Sequence, residues 1–137
     1  METPPFICMN LCHSLFFKKI DKLPETILEN GDFIQCYRIN PSQSRNIEPD
    51  PAKFIENLHF TGQKDDIESK GEKVELPKGQ YIFSQYRAEN VLKKDEWLEM
   101  VIEQQKDGLW ERKELNDLFF LRFLYEDGAF VTQIFRT

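Results

Sequence analysis

Residues 74–87 read VELPKGQYIFSQYR, which is a tight turn followed by alternating side chains. The segment Pro77-Lys78-Gly79 predicts the turn, because proline fixes φ and glycine tolerates the backbone angles that tight turns need. In the strand after it, Tyr81 and Phe83 share one face, while Ile82 and Tyr86 share the other. The stretch therefore predicts a strand with two distinct faces.

A helix is predicted after this strand, over residues 94–106. Asp107-Gly108 is expected to end it and to place Leu109 and Trp110 in the following turn. The charged positions Glu96, Glu99, Glu103 and Lys106 fall on the outer face. The apolar stripe is formed by Leu98, Val101 and Ile102, with Trp97 beside it.

The last part of the chain predicts a β-hairpin. Strands over residues 118–125 and 129–136 flank Glu126-Asp127-Gly128, and glycine-containing tight turns are typical of hairpins. The second half of the chain therefore has the order strand, helix, hairpin (βαββ).

The first half predicts shorter elements. Residues 32–39 (DFIQCYRI) alternate as a strand does, and Asp50-Pro51 is a good helix start, with Asp as N-cap and Pro at the first position. We expect that helix to run to His59 with Phe54, Ile55 and Leu58 on its apolar face. The remaining predictions are a strand or short buried segment over 15–20, a helical turn from Leu23 to Leu28, and a solvated charged connection over 63–75.

Composition indicates one globular domain over residues 1–137. The chain has 40% apolar and 31% charged residues and a formal net charge of −6. Binding to nucleic-acid backbones needs a basic face, so direct nucleic-acid binding is not expected. No apolar run approaches the roughly 20 residues of a membrane helix, and no signal peptide is recognised. We therefore expect a cytoplasmic protein that does not bind membranes.

The cysteines are expected to be reduced and structural. Cys8, Cys12 and His13 (CMNLCH) suggest metal binding, but CxxxC lacks the second ligand pair of a convincing zinc site. Free thiols that pack as small apolar groups are the preferred interpretation. No metal and no cofactor are expected.

The second half of the chain resembles the gyrase-inhibitor-like (GyrI-like) superfamily, mainly over residues 74–137. Members carry a Pro-x-Gly-x-Tyr entry to the strand, and Pro77, Gly79 and Tyr81 match it. The superfamily includes effector-binding domains of multidrug-sensing transcription regulators. The resemblance implies an α+β fold of two βαββ units packed as an antiparallel sheet, the second clear and the first degenerate, with an aromatic ligand cleft between them.

Two departures from the family pattern affect the expected ligand. Multidrug-sensing members have a glutamate in the strand before the final hairpin turn, where this chain has Phe120. Arg122 nearby would favour an anionic ligand if it faces inward, although a solvent-facing position is the more common one for such a residue. The sequence offers no helix-turn-helix or winged-helix segment before the domain, where the regulator relatives carry theirs, so we expect a stand-alone domain or a fragment of a regulator.

Small-molecule binding is the leading functional hypothesis, in sensing, transcription regulation or sequestration. The partner would be a small organic ligand, and a homodimer or a protein partner is also compatible with the sequence. The expected ligand-binding residues are Tyr37, Tyr81, Phe83, Trp97, Trp110, Phe120 and Arg122.

Two alternatives stay open. The first is a small hydrolase of reactive organic compounds, in which Glu99, Glu103 or Glu126 would activate water. Catalysis is the less favoured hypothesis, and no catalytic residue is assigned. The second is an inhibitor that binds a DNA-acting enzyme, for which a net charge of −6 is in the right direction but small.

Overall fold

Alternating side chains dominate the chain, and the structure places them in strands. The computed structural model describes residues 8–20, 31–64, 72–111 and 114–137. The strands of these residues are β1 (Cys8–Leu11), β2 (Leu15–Lys19), β3 (Asp32–Ile39), β4 (Ile55–Lys64), β5 (Lys73–Leu76), β6 (Gly79–Ala88), β7 (Leu118–Glu126) and β8 (Ala129–Arg136). The helical elements are a 3-10 turn at Pro51–Lys53 and the α-helix α1 (Lys94–Trp110).

The strands form one antiparallel sheet in the order β1-β6-β8-β7-β3-β4-β2-β5. Two short connections join strands from opposite ends of this order: residues 12–14 link β1 to β2, and Pro77-Lys78 link β5 to β6. Connections this short bring the two ends of the sheet together. The backbone N–H of Lys78 also donates to Ser14 Oγ at 3.1 Å, which ties one turn to the other. The sheet is therefore curled into a half-barrel.

Each face of the curled sheet carries its own core. The concave cluster unites strands from both ends and the middle of the sheet, and it consists of Phe17, Ile34, Cys36, Val74, Leu76, Tyr81, Phe120 and Phe135. Helix α1 covers part of the other face. The helix-side cluster consists of Tyr37, Ile39, Phe54, Leu92, Trp97, Val101, Phe119, Leu121, Phe123 and Ile134.

Several local predictions are confirmed. Strand β6 begins at Gly79, directly after the predicted turn, and Gly79 has a φ of 147°, which side chains with a Cβ disfavour. Asp127 and Gly128 both have positive φ, as a two-residue type I′ hairpin turn requires. The strands predicted over 32–39 and within 15–20 are also present, as β3 and β2.

The predicted end of the helix is wrong, and its predicted apolar stripe is confirmed for Trp97 and Val101, which are buried. Helix α1 continues through Gly108 to Trp110. Gly108 lies on the buried face, and a Cβ there would meet Leu115 Cδ2 at 2.9 Å, so the glycine permits close packing instead of ending the helix. The buried stripe is Trp97, Val101, Gln104, Gln105 and Gly108, whereas Leu98 and Ile102 are only half-buried.

The helix predicted from Pro51 to His59 is also wrong beyond its first turn. Asp50 caps that turn as expected, because its carboxylate accepts from the Ala52 N–H at 3.0 Å. After Phe54 the chain becomes β4, which pairs with β3 along its length. The hydrogen-bonded pairing with β3 overrides the local helix-start signal in this segment.

The charged connection predicted over 63–75 is partly strand. Gln63 and Lys64 complete β4, and Lys73–Leu76 form β5. The helical turn predicted from Leu23 to Leu28 lies outside the described residues.

The predicted fold of two βαββ units is contradicted. The described residues form one continuous, curled eight-stranded sheet with one α-helix, so the domain is dominated by sheet. The order strand, helix, hairpin holds for β6, α1, β7 and β8. Upstream, where a second such unit was expected, the predicted helix at Pro51 is replaced by β4, and the edge strands β1 and β5 are added.

Candidate functional site

The seven residues predicted to bind a ligand do not lie together. Tyr37 and Trp97 belong to the helix-side cluster, whereas Tyr81 and Phe120 belong to the concave cluster. Phe83 packs against the concave cluster, and Arg122 lies over the ring of Phe17 in that cluster. Trp110, at the end of α1, is 82% exposed. The sheet itself therefore separates these side chains.

Tyr37 and Trp97 form a packed aromatic core beneath α1. The ring of Tyr37 stacks on Phe119 with centroids 5.3 Å apart, and its centroid is 5.2 Å from that of Trp97. The Tyr37 hydroxyl donates to Gln35 Oε1 at 3.0 Å, and burial raises the pKa of this phenol. Through these contacts, Tyr37 and Trp97 are packed as core residues.

Tyr81 is the centre of the aromatic contacts on the concave side. It packs edge-on against Phe120 and Phe135, and Phe83 also contacts Phe135. The Tyr81 hydroxyl donates to the carbonyl oxygen of Pro77 and so closes the β5–β6 turn. Burial raises the pKa of Tyr81, and the nearby negative charge of Glu75 raises it further. Alternation along β6 is as predicted, with Tyr81 and Phe83 on the concave side.

The positive charge of Arg122 is paired with the carboxylate of Asp32. Its Nε and Nη2 donate to the two carboxylate oxygens of Asp32 at 2.9 and 2.7 Å, a bidentate pair. Its Nη1 lies 3.5 Å from Gln133 Oε1. Because a carboxylate already occupies the fork of the guanidinium, Arg122 has little capacity left for an anionic ligand.

The two helix glutamines fix α1 to its surroundings. Gln104 Nε2 lies 3.2–3.3 Å from Ser84 Oγ and from the carbonyls of Ile82 and Ile134. Gln105 Nε2 donates to the carbonyls of Gln43 and Asn46 at 2.8 and 2.7 Å. These amides therefore hold the helix against the sheet and the loop after β3.

A pocket with a volume of about 340 Å³ opens between α1, β6 and the segment that connects them. That volume is at the lower end of the range for small-molecule sites. Its apolar side comes from Tyr86 on β6, Leu92 in the connection, and Met100 on α1. All three pack in or against the helix-side cluster, so the core holds this wall in place.

Three glutamates on α1 complete the lining: Glu96, Glu99 and Glu103. They project from successive turns because their spacings of three and four residues keep them on one helix face. All three are exposed, and none of their carboxylates makes a hydrogen bond or ion pair with a described residue. The pocket thus combines an aromatic and thioether wall with an acidic rim.

The hydrolase hypothesis from the sequence names two of the pocket glutamates, but it does not predict this pocket. Glu99 and Glu103 were named as carboxylates near a cleft, but Glu126 lies at the β7–β8 turn and does not line the pocket. Tyr86, Leu92, Met100 and Glu96 were missed as site residues. Two sequence features could have indicated these residues. Glu96, Glu99, Met100 and Glu103 are spaced so that they share one helix face, and Tyr86 lies on the face of β6 opposite Tyr81.

The residues that the structure describes, 8–20, 31–64, 72–111 and 114–137, show neither a cluster of metal ligands nor a membrane-spanning helix. No group of three or more His, Cys, Asp or Glu side chains is arranged to hold a metal ion in that part of the chain. No helix there is long and apolar enough to cross a membrane.

Comparison of the chain with protein-family models, with curated proteins and with solved structures finds no match. The resemblance to GyrI-like proteins therefore stays a prediction that rests on Pro77, Gly79 and Tyr81.

Proposed function

We propose that the protein binds a small organic cation in the pocket between α1 and β6. The observation that carries this proposal is the combination of an apolar wall with three carboxylates around one opening, none of which pairs with a described residue. A flat cation can place its charge near the rim and its apolar part against Tyr86 and Met100. The face of a tyrosine ring also attracts cations.

The apolar wall supplies most of the affinity in this account, and the rim supplies selectivity. Each exposed carboxylate contributes about 0.2–1 kcal/mol to attraction, because water and salt screen it. Three such groups together amount to roughly tenfold in the dissociation constant. Arg122 also favours a cationic over an anionic ligand in this proposal, because Asp32 already neutralises the charge that would attract an anion.

The biological role we propose is sensing or sequestration of such a compound in the cytoplasm. In the described residues, Cys12 and Cys36 are free thiols, which fits a reducing compartment. The proposal rests on the pocket and does not need the GyrI-like resemblance.

The test uses three probes with one ring system and different charges: 1-naphthylmethylammonium, 1-naphthylmethanol and 1-naphthylacetate. Calorimetric titration is expected to rank the cation first, by about tenfold over the neutral alcohol, and the anion last. The Glu99→Gln/Glu103→Gln variant should lose most of that preference while its affinity for the neutral alcohol changes little. Glu75→Gln is the matched control, because Glu75 is exposed on β5 and does not line the pocket.

Two results would contradict the proposal. One is equal affinity for all three probes in the wild-type protein. The other is preferential binding of 1-naphthylacetate that disappears in Arg122→Gln, which would restore Arg122 as the residue that selects the ligand's charge.

A further inference from the structure

The acidic face of α1 extends beyond the pocket. Glu103 and Trp110 are seven residues apart, so they lie within about 20° of one line along the helix and about 10 Å from each other along its axis. Asp107 lies between them on the same side and is half-buried. The face thus begins at Glu96 in the pocket and ends at Trp110.

Trp110 is the most exposed large apolar side chain in the described part of the chain. It is 82% exposed and makes no ring contact with any described residue. A single exposed apolar side chain is ordinary on a protein surface. This one, however, lies on the same helix face as the pocket glutamates, about two turns beyond Glu103, and tryptophan is among the residue types most enriched at binding hot spots.

The charge of this helix face determines what kind of surface could bind to it. Among the described residues of α1, Glu96, Glu99, Glu103 and Asp107 carry four negative charges on this side, and Lys106 carries the one exposed positive charge there. No described residue pairs with the three pocket glutamates. A complementary surface is therefore basic, with an apolar group placed to reach Trp110.

We propose that this face of α1 docks a basic, partly apolar segment of a partner protein. A lysine or arginine of the segment enters the pocket, and an aliphatic or aromatic side chain about 10 Å further along packs on Trp110. In an extended segment that separation corresponds to about three residues. The docking site shares the pocket glutamates with the proposed small-molecule site, and Trp110 belongs to the docking site alone.

The test measures fluorescence anisotropy of two labelled twelve-residue peptides added to the 137-residue protein. Both carry leucines three residues from charged positions; the charged residues are arginine in one and glutamate in the other. The arginine peptide is expected to bind at least tenfold more tightly. Trp110→Ala should weaken it tenfold or more, whereas Glu75→Gln should leave its affinity unchanged. Binding of 1-naphthylmethylammonium to Trp110→Ala should stay within twofold of wild type.

The outcomes separate this proposal from the small-molecule function. Equal binding of both peptides, or unchanged peptide binding to Trp110→Ala, would overturn the docking proposal whatever the naphthyl probes do. Tryptophan-dependent binding of the arginine peptide, with no binding of 1-naphthylmethylammonium, would support the docking site and leave the small-molecule function without support.

Discussion

At the scale of single residues, a buried arginine joins the last strand to the helix. Arg136 has no exposed surface, and its guanidinium donates to the Asn116 carbonyl and to Gln105 Oε1, both at 2.8 Å. Burial lowers its pKa to about 10, which the charge of Asp117 partly offsets. Arg136 therefore stays protonated at neutral pH and links the last strand to α1.

Cys36 gives a prediction at the same scale. Burial raises the pKa of its thiol from 9.0 to about 12, so the folded protein contains about a thousandfold less thiolate at pH 8 than an unperturbed cysteine would. In a Cys8→Ser/Cys12→Ser variant, we expect the remaining thiol to react with a disulfide reagent only as the protein unfolds. Absorbance of the released thiol measures this rate with and without urea.

The pH dependence follows from the same shift. The unfolded thiol ionises near pH 9 and the folded one near 12. The unfolded state therefore holds fewer protons between these values, and this residue's contribution to the free energy of unfolding falls as pH rises above 9. Substitution of Cys36 by alanine should remove that component. Rapid labelling of native Cys36 at pH 8 would contradict the account.

At the scale of elements, strand β4 depends on a close approach to β2. A Cβ at Gly62 would lie 2.6 Å from Phe17 Cβ and 3.3 Å from the carbonyl oxygen of Lys18. Neither atom is the end of a flexible side chain. The absence of a side chain at Gly62 therefore sets the spacing of these two strands.

Gly62→Ala is expected to lower the free energy of unfolding by about 2–3 kcal/mol, because the strands must move apart to accept the methyl group. Gln63→Ala is the control: Gln63 is exposed on the same strand and should change stability by no more than about 0.5 kcal/mol. Urea unfolding followed by circular dichroism measures both. Equal stability of the two variants would show that β2 and β4 have room between them.

Sequence patterns predicted the elements whose conformation depends on a few neighbouring residues. The turn before Gly79, the hairpin at Asp127-Gly128 and the faces of β6 were all identified from a few neighbouring residues. The end of α1 was not, because Gly108 is accommodated by contacts with Leu115 and Ile82 that only the folded structure creates. The helix predicted at Pro51 failed for the same reason, since pairing with β3 decides that segment.

At the scale of the whole molecule, the curl of the sheet separates the predicted aromatic residues. Strands β1 and β2 follow each other in sequence but lie far apart in the strand order, and nothing in local alternation indicates this. The seven expected ligand-binding residues were chosen for their chemistry and were assumed to share one cleft. The sheet instead divides most of them between two cores, and the pocket lies on the helix side with a different lining.

We propose that the ligand site lies between α1 and β6 and not on the concave side of the sheet. Met100 lines the pocket, whereas Met9 packs against the concave cluster, so their methyl groups report on the two faces within one protein. The most direct measurement is a ¹³C-methyl methionine spectrum during titration with 1-naphthylmethylammonium, with resonances assigned from Met9→Leu and Met100→Leu. The account predicts a saturable shift of the Met100 signal with Met9 unmoved. A shift of Met9 with Met100 unmoved would contradict it.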